Sequence, residues 1–286
     1  MAAQLQPTTV HHRPIIEYVE VEGLKLRVAT QRGSGGGVPL LILNGVGANF
    51  ELVFPFMEAM EGTEMIIFDL PGIGRSEMSW RPRRFSGLAQ LTARLLDRLG
   101  YPEVDVAGVS WGGALAQQFA RQYPHRCRRL VLAATSAGAF MIPGRPRALS
   151  KMLTPQRYLS PAYMHKAAGD IYGGEVRRHP GLIMEHTARI IPPRFAGYVF
   201  QLLAGAGWTS IHWLHKLKQP TLVMAGSEDP LVPPANARII SLLIPNNRLF
   251  MVPGGGHLFL LHSLSKVVPV IRDFLESRDP IRPRWN

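Results

Sequence analysis

Short unbroken apolar runs alternate along this chain with longer stretches whose apolar residues recur every three or four positions. The short runs are Val38 to Leu43, Met65 to Phe68, Val104 to Val109, Arg129 to Ala134, Thr221 to Ala225 and Arg248 to Val252. Short runs rich in β-branched residues and bounded by Gly or Pro predict strands buried on both faces of a parallel sheet. Between them, Phe85 to Leu99 sets Leu88, Leu91, Leu95 and Leu99 on one helical stripe, and Trp111 to Tyr123 and Leu264 to Leu275 have the same spacing. Strands alternating with helices predict a βαβ architecture. Ile15 to Val21 and Leu24 to Thr30 alternate apolar with polar instead, which predicts an antiparallel edge hairpin turning at Glu22 and Gly23.

One region departs from the alternation. Residues 137–217 are rich in Pro, Gly, Met, Tyr and Trp and show no clear strand. The region is too long for a simple loop. It predicts an inserted helical cap, with residues 1–136 and 218–286 forming the core that carries it. Ser34 to Gly37 is a Gly-rich linker; no P-loop lysine or helix start follows it, so it predicts no phosphate site.

Composition narrows the class. Of 286 residues, 46% are hydrophobic and 18% charged, a globular balance. The single cysteine, Cys127, allows no intramolecular disulfide, so nothing requires an oxidising compartment. Met1 to Pro14 lacks an apolar core of signal-peptide length. The longest apolar stretch, from Leu130, is broken by Ser136, Gly138 and Pro143 before it can span a bilayer. A soluble, cytoplasmic protein is expected. The formal net charge is +12, with arginines clustered at 81, 83 and 84, at 126, 128 and 129, at 177 and 178, and in a tail at 278, 282 and 284. No zinc-finger, RNP or helix-turn-helix signature accompanies the charge, so no nucleic-acid partner is expected. The charge predicts a solvated basic surface, with adsorption to an anionic surface such as a lipid-coated particle as the alternative.

The candidate chemistry begins at Gly108-Val109-Ser110-Trp111-Gly112, a G-x-S-x-G match. Such a motif gains weight only from its context, and here a strand run ends at Val109 and a helical run starts at Trp111. That is the strand–turn–helix a nucleophile elbow needs. A serine hydroxyl is a poor nucleophile until a base takes its proton. Among ten histidines, His257 stands directly after the last strand run, in Gly254-Gly255-Gly256-His257. His262 falls close to the last helix. His165, His179, His186, His212 and His215 fall in the insertion, where structural or at most substrate-lining roles are expected. The imidazole needs a carboxylate to fix its tautomer and stabilise its cation. Asp229 follows the run Thr221 to Ala225, with Glu228 as a lesser competitor, while residues 129–169 hold no Asp or Glu at all. The order Ser110, Asp229, His257 is that of an α/β-hydrolase fold, a mostly parallel central sheet flanked by helices. Two backbone donors for an oxyanion are expected at Trp111 and, in the Gly-rich loop Asn44-Gly45-Val46-Gly47, at Val46. Asp69, opening Asp69-Leu70-Pro71-Gly72-Ile73-Gly74-Arg75-Ser76, is expected to be a structural turn beside the site. No metal or organic cofactor is needed for such chemistry.

From about Leu41 to Leu275 the chain resembles the intracellular medium-chain-length poly(3-hydroxyalkanoate) depolymerases. The resemblance lies in Asn44 to Asn49 followed by Glu51 to Phe56, in Val109 to Ala120, in Gly256 to Leu260, and above all in Gly207-Trp208-Thr209-Ser210-Ile211-His212-Trp213-Leu214-His215-Lys216. It departs at Gly254 and Gly255, where the family often carries acidic residues. The resemblance implies a serine-triad esterase on a storage polyester, with Ser110, Asp229 and His257 on the triad positions, and association with the polyester granule. Trp208, Trp213 and Met141 are expected to touch the substrate's alkyl side chains, although packing within the insertion itself is the blander alternative. A general carboxylesterase or lipase on the same scaffold is the competing reading, and a non-catalytic granule-binding protein the more distant one.

Overall fold

The structure, a computed structural model, describes residues 14–277. Eight strands form one sheet: β1 (Ile15–Val21), β2 (Leu24–Gln31), β3 (Leu40–Leu43), β4 (Met65–Phe68), β5 (Val104–Val109), β6 (Cys127–Ala133), β7 (Thr221–Gly226) and β8 (Asn247–Val252). Their order is β1-β2-β4-β3-β5-β6-β7-β8. β1, β2 and β4 pair antiparallel, and every pairing from β4 through β3 to β8 is parallel. The expected hairpin forms, and its turn places Glu22 at φ 54° and Gly23 at φ 74°.

Side-chain alternation then divides the core. Leu41, Leu43, Ile66, Phe68, Leu130 and Leu132 face one side of the sheet. There they meet helices α2 (Phe85–Leu99), α3 (Trp111–Gln122) and, beyond the insertion, α10 (Ala235–Leu243). Their neighbours Leu40, Ile42, Met65, Ile67, Val131 and Ala133 face the other. That side is covered by α1 (Phe54–Ala59), α11 (Phe259–His262) and α12 (Leu264–Glu276). Strands with both faces covered must be apolar throughout, which is why they appear in the sequence as unbroken runs rather than alternating ones. α10 has no counterpart among the expected helices. It is short and lies between one proline pair (Pro233, Pro234) and a third proline (Pro245), so its periodicity is brief.

Between β6 and β7 the chain makes no sheet strand. It runs through six helices, α4 (Pro146–Ser150), α5 (Gln156–Leu159), α6 (Pro161–Tyr172), α7 (Gly174–Arg178), α8 (Leu182–Ala188) and α9 (Phe195–Gly205). They enclose a small core of their own around Met164, Ala168, Ile171, Val176 and Ile183. No helix among the described residues is long and apolar enough to cross a membrane. The arginine tail at 278, 282 and 284 and the first thirteen residues lie outside the described residues.

Phe119 on α3 is fully buried against the sheet. Phe119→Ala should lower unfolding free energy by about 3–5 kcal/mol, the usual cost of emptying a buried aromatic site. Urea denaturation followed by circular dichroism measures it.

Candidate active site

The carboxyl ends of β3, β5, β7 and β8 deliver the candidate residues to one place. Ser110 follows β5 directly and adopts φ 55° and ψ −119°. A non-glycine residue holds such a conformation only where its surroundings impose it. Here the Ser110 N–H donates to the Ala133 carbonyl at 2.9 Å, and its carbonyl accepts from Thr135 Oγ1 at 2.7 Å. The glycines of the motif make room for this turn. A Cβ on Gly108 would lie 2.5 Å from Ala116 Cβ, and one on Gly112 would lie 2.1 Å from the Leu43 carbonyl oxygen. The serine hydroxyl is thereby raised off the strand end, ahead of the α3 N-terminus.

His257 and Asp229 meet across the adjacent loops. Asp229 Oδ2 is 2.7 Å from His257 Nδ1, and both side chains are buried. The other carboxylate oxygen, Oδ1, accepts from the amides of Leu231 and Val232 at 2.8 and 2.9 Å. The His257 amide is anchored on the Tyr172 carbonyl at 2.7 Å. With Nδ1 committed to the carboxylate, Nε2 is the nitrogen left to exchange a proton. Ser110 and His257 line the same cavity. Their side chains are not hydrogen-bonded to one another in this structure; such bonds commonly tighten only when substrate is present. Glu228 points elsewhere, pairing with Arg178 at 2.5 Å on the surface.

The loop after β3 passes beside the serine, where a Cβ on Gly45 would be 3.8 Å from Ser110 Cβ. Of the four amides from Gly45 to Ala48, three are already engaged. Gly45 N–H donates to Asn44 Oδ1, Gly47 N–H to Gln201 Oε1, and Ala48 N–H to the Gly45 carbonyl. Val46 N–H has no protein acceptor, which suits a donor kept for an oxyanion. Trp111, at the first position of α3, has its indole Nε1 on the Gln201 carbonyl at 2.8 Å. Asp69 sits outside the cavity lining as a brace. Its carboxylate accepts from the Phe50 amide at 2.9 Å, with Arg27 at 3.7 Å. Burial, with help from nearby Glu51, pushes the Asp69 carboxyl up to about 7.

The cavity has a volume of about 80 Å³. A single water needs only about 10–15 Å³ on this measure, so there is room for an acyl chain. Its walls are mostly apolar, with Ile42, Val53, Phe56, Leu231, Leu258 and Leu261 among them. The insertion supplies Met152, Arg157, Tyr158, Tyr172 and His186. Trp208, Trp213 and Met141, expected at the substrate, are not among the residues that line this cavity. Trp208 stacks edge-on against Phe85 with centroids 5.0 Å apart, and its indole N–H donates to Gln118 Oε1. Trp213 packs on Trp208, and Met141 Sδ accepts from Ser136 Oγ. A tryptophan satisfies its large apolar face and its N–H most readily inside a core, and the α2–α3 surface offers both. The residues that do line the cavity, Arg157, Tyr158 and Tyr172, carry no local motif that would have singled them out.

With this geometry in place, the comparison with known proteins is direct: the chain belongs to the family of the alpha/beta hydrolase fold, whose profile matches residues 38–263. It is 52% identical over 263 residues to the poly(3-hydroxyalkanoate) depolymerase of Ectopseudomonas oleovorans, covering 92% of this chain and 93% of that one. Lipase 1 of Psychrobacter immobilis is 26% identical, covering 86% of this chain and 80% of the lipase. Among solved structures, the enol-lactonase of Burkholderia xenovorans LB400 superposes with a TM-score of 0.78 at 19% identity, over 91% of this chain and all of the other.

His186 lies buried in the cavity wall, and burial, with positive charge at His262 and Arg157, pulls its pKa down to about 3. The unfolded chain takes up this proton below about 6.5. The folded chain does not, so stability falls as pH drops from about 6.5 towards 3. His186→Phe should flatten that slope, measured as unfolding free energy by urea titration at pH 7, 6, 5 and 4.

Proposed function

We propose that this enzyme hydrolyses the ester bonds of a poly(3-hydroxyalkanoate) of medium side-chain length, through an acyl-enzyme on Ser110. The observation that carries the reading is the strained Ser110 turn and the His257–Asp229 pair opening on one apolar cavity. The 52% identity to a curated depolymerase supports the choice of substrate.

In this mechanism His257 Nε2 takes the proton of Ser110 Oγ as the oxygen attacks the ester carbonyl. Asp229 holds Nδ1–H and stabilises the imidazolium that results. The N–H groups of Val46 and Trp111 receive the developing oxyanion. The alcohol leaves with the proton from His257, and a water, deprotonated in its turn by His257, releases the acid. The apolar walls favour alkyl side chains over polar ones. The helical insertion over residues 137–217 acts as the cap that closes this cavity. A cytoplasmic enzyme working at a polyester granule agrees with the absence of a membrane-crossing helix among the described residues.

Ser110→Ala should reduce release of 3-hydroxyalkanoate from medium-chain polyester on the order of 10⁴- to 10⁶-fold while leaving the melting temperature nearly unchanged. Retained hydrolysis would remove Ser110 from the mechanism. The similarity to a lipase favours a second substrate class. Turnover of short p-nitrophenyl esters with no release from polyester would select that reading instead.

A further inference from the structure

The Val46–Gly47 peptide is held at both of its polar ends by the helical insertion. Its carbonyl, on Val46, accepts from Arg157 Nη2 at 3.0 Å and from Tyr158 Oη at 2.9 Å. Its N–H, on Gly47, donates to Gln201 Oε1 at 2.6 Å. Arg157 and Tyr158 belong to α5, and Gln201 to α9. No core residue takes part in fixing this plane. Gly47 stands at φ 72°, and a Cβ there would lie 2.6 Å from the Tyr158 ring and 2.7 Å from that of Tyr198. The insertion thus fits the loop without clearance.

The grip extends further on both sides. Arg157 Nη1 donates to Tyr198 Oη at 2.7 Å, and Tyr198 Oη donates to the Met152 carbonyl at 2.6 Å. Arg157 is almost wholly buried, stacked 4.3 Å from the Tyr158 ring centre, and its partners are all neutral oxygens. A buried cation without a carboxylate is costly, so it is an expensive way merely to pack a helix. The backbone carbonyl of Gln201 also accepts from the Trp111 indole at 2.8 Å, which ties α9 to the residue that follows Ser110.

We infer that Gln201 and Arg157 are positioning residues that assemble the oxyanion hole from the insertion side, so that the hole is complete only while the insertion is seated. The inference rests on the reading of Ser110 as nucleophile and Val46 N–H as oxyanion donor. The Val46 N–H is separated from the gripped peptide by one Cα, so rotation of that peptide turns the donor away from the carbonyl oxygen. Hydrogen bonds to an oxyanion act only when aimed at where charge develops, and displacements near 1 Å are enough to weaken them strongly.

Gln201→Leu removes the acceptor for Gly47 N–H at nearly constant volume, while Gln201→Glu keeps an acceptor. With a soluble 3-hydroxyalkanoate ester as substrate, Gln201→Leu should lower kcat about 10- to 100-fold with KM changed by less than about threefold. Gln201→Glu should recover most of the loss. The inhibition constant of an alkylboronic acid, which forms a tetrahedral adduct on serine, should rise in step with the loss of kcat, while that of the free 3-hydroxyalkanoate product stays constant. Tyr158→Phe, which removes one hydroxyl from the grip, should show the same split at smaller size, and it serves if Gln201→Leu does not fold. Two results overturn the inference while Ser110→Ala is inactive: kcat of Gln201→Leu and Tyr158→Phe within about threefold of the parent, or boronate and product affinities falling together. Activity in Ser110→Ala would instead overturn the underlying reading of the site.

Discussion

Ser110 is held at φ 55° and ψ −119° by its neighbours on three sides. β6 takes its amide through Ala133, Thr135 takes its carbonyl, and α3 starts at the next residue. A turn of this kind is unfavourable for an isolated L-residue and persists only in a rigid frame. The frame is the parallel sheet, whose strands are buried on both faces and fixed by packing. Gly108 and Gly112 exist in that frame because Ala116 and the Leu43 carbonyl come too close for any side chain. The apolar strand runs, the α3 helix and the glycine spacing are therefore conditions for the same turn.

The helical insertion depends on this frame and acts back on it. Its segment from Gly207 to Lys216 is bolted to α3: Trp208 donates to Gln118, and Ser210 Oγ donates to Gln117 Oε1 at 2.6 Å. Its Trp208 and Trp213 join Phe85 and Trp111 in a continuous cluster of tilted and edge-to-face rings. This is the stretch that most marks the family resemblance, and its work in this structure is attachment rather than lining the cavity. The insertion residues that enter the cavity come from α5, α6, α8 and, with Met152, the turn before α5. A tightly attached insertion leaves little slack for the loop between β3 and α1, which explains how Val46 and Gly47 come to be clamped from above.

Charge follows the same division. Much of the arginine excess that stands out in the sequence is engaged in pairs. Arg128 reaches buried Asp105 at 2.5 Å, Arg126 reaches Asp97, and Arg83 and Arg94 share Glu22. Arg157 differs from all of these in having only neutral oxygen partners. Its position in the chain, beside Gln156 and far from any run of basic residues, gives it no distinction by composition. Burial alone makes it unusual.

The sequence by itself determined the sheet, its direction and the candidate Ser110, Asp229 and His257. Strand burial on both faces and helical spacing are local properties, readable from neighbours a few residues apart, and each of Ser110, Asp229 and His257 stands just after a strand run, so that chain order alone links them. The antiparallel hairpin was legible for the same reason, while α10 was too brief between its prolines to show a period. The tertiary structure alone decided which side chains wall the cavity and which hold the loop at Val46. Those contacts join residues separated by more than a hundred positions, as with Val46 and Arg157 or Gly47 and Gln201. No periodicity links such pairs, and an aromatic such as Trp208 reads alike in a core and in a binding site until its neighbours are known.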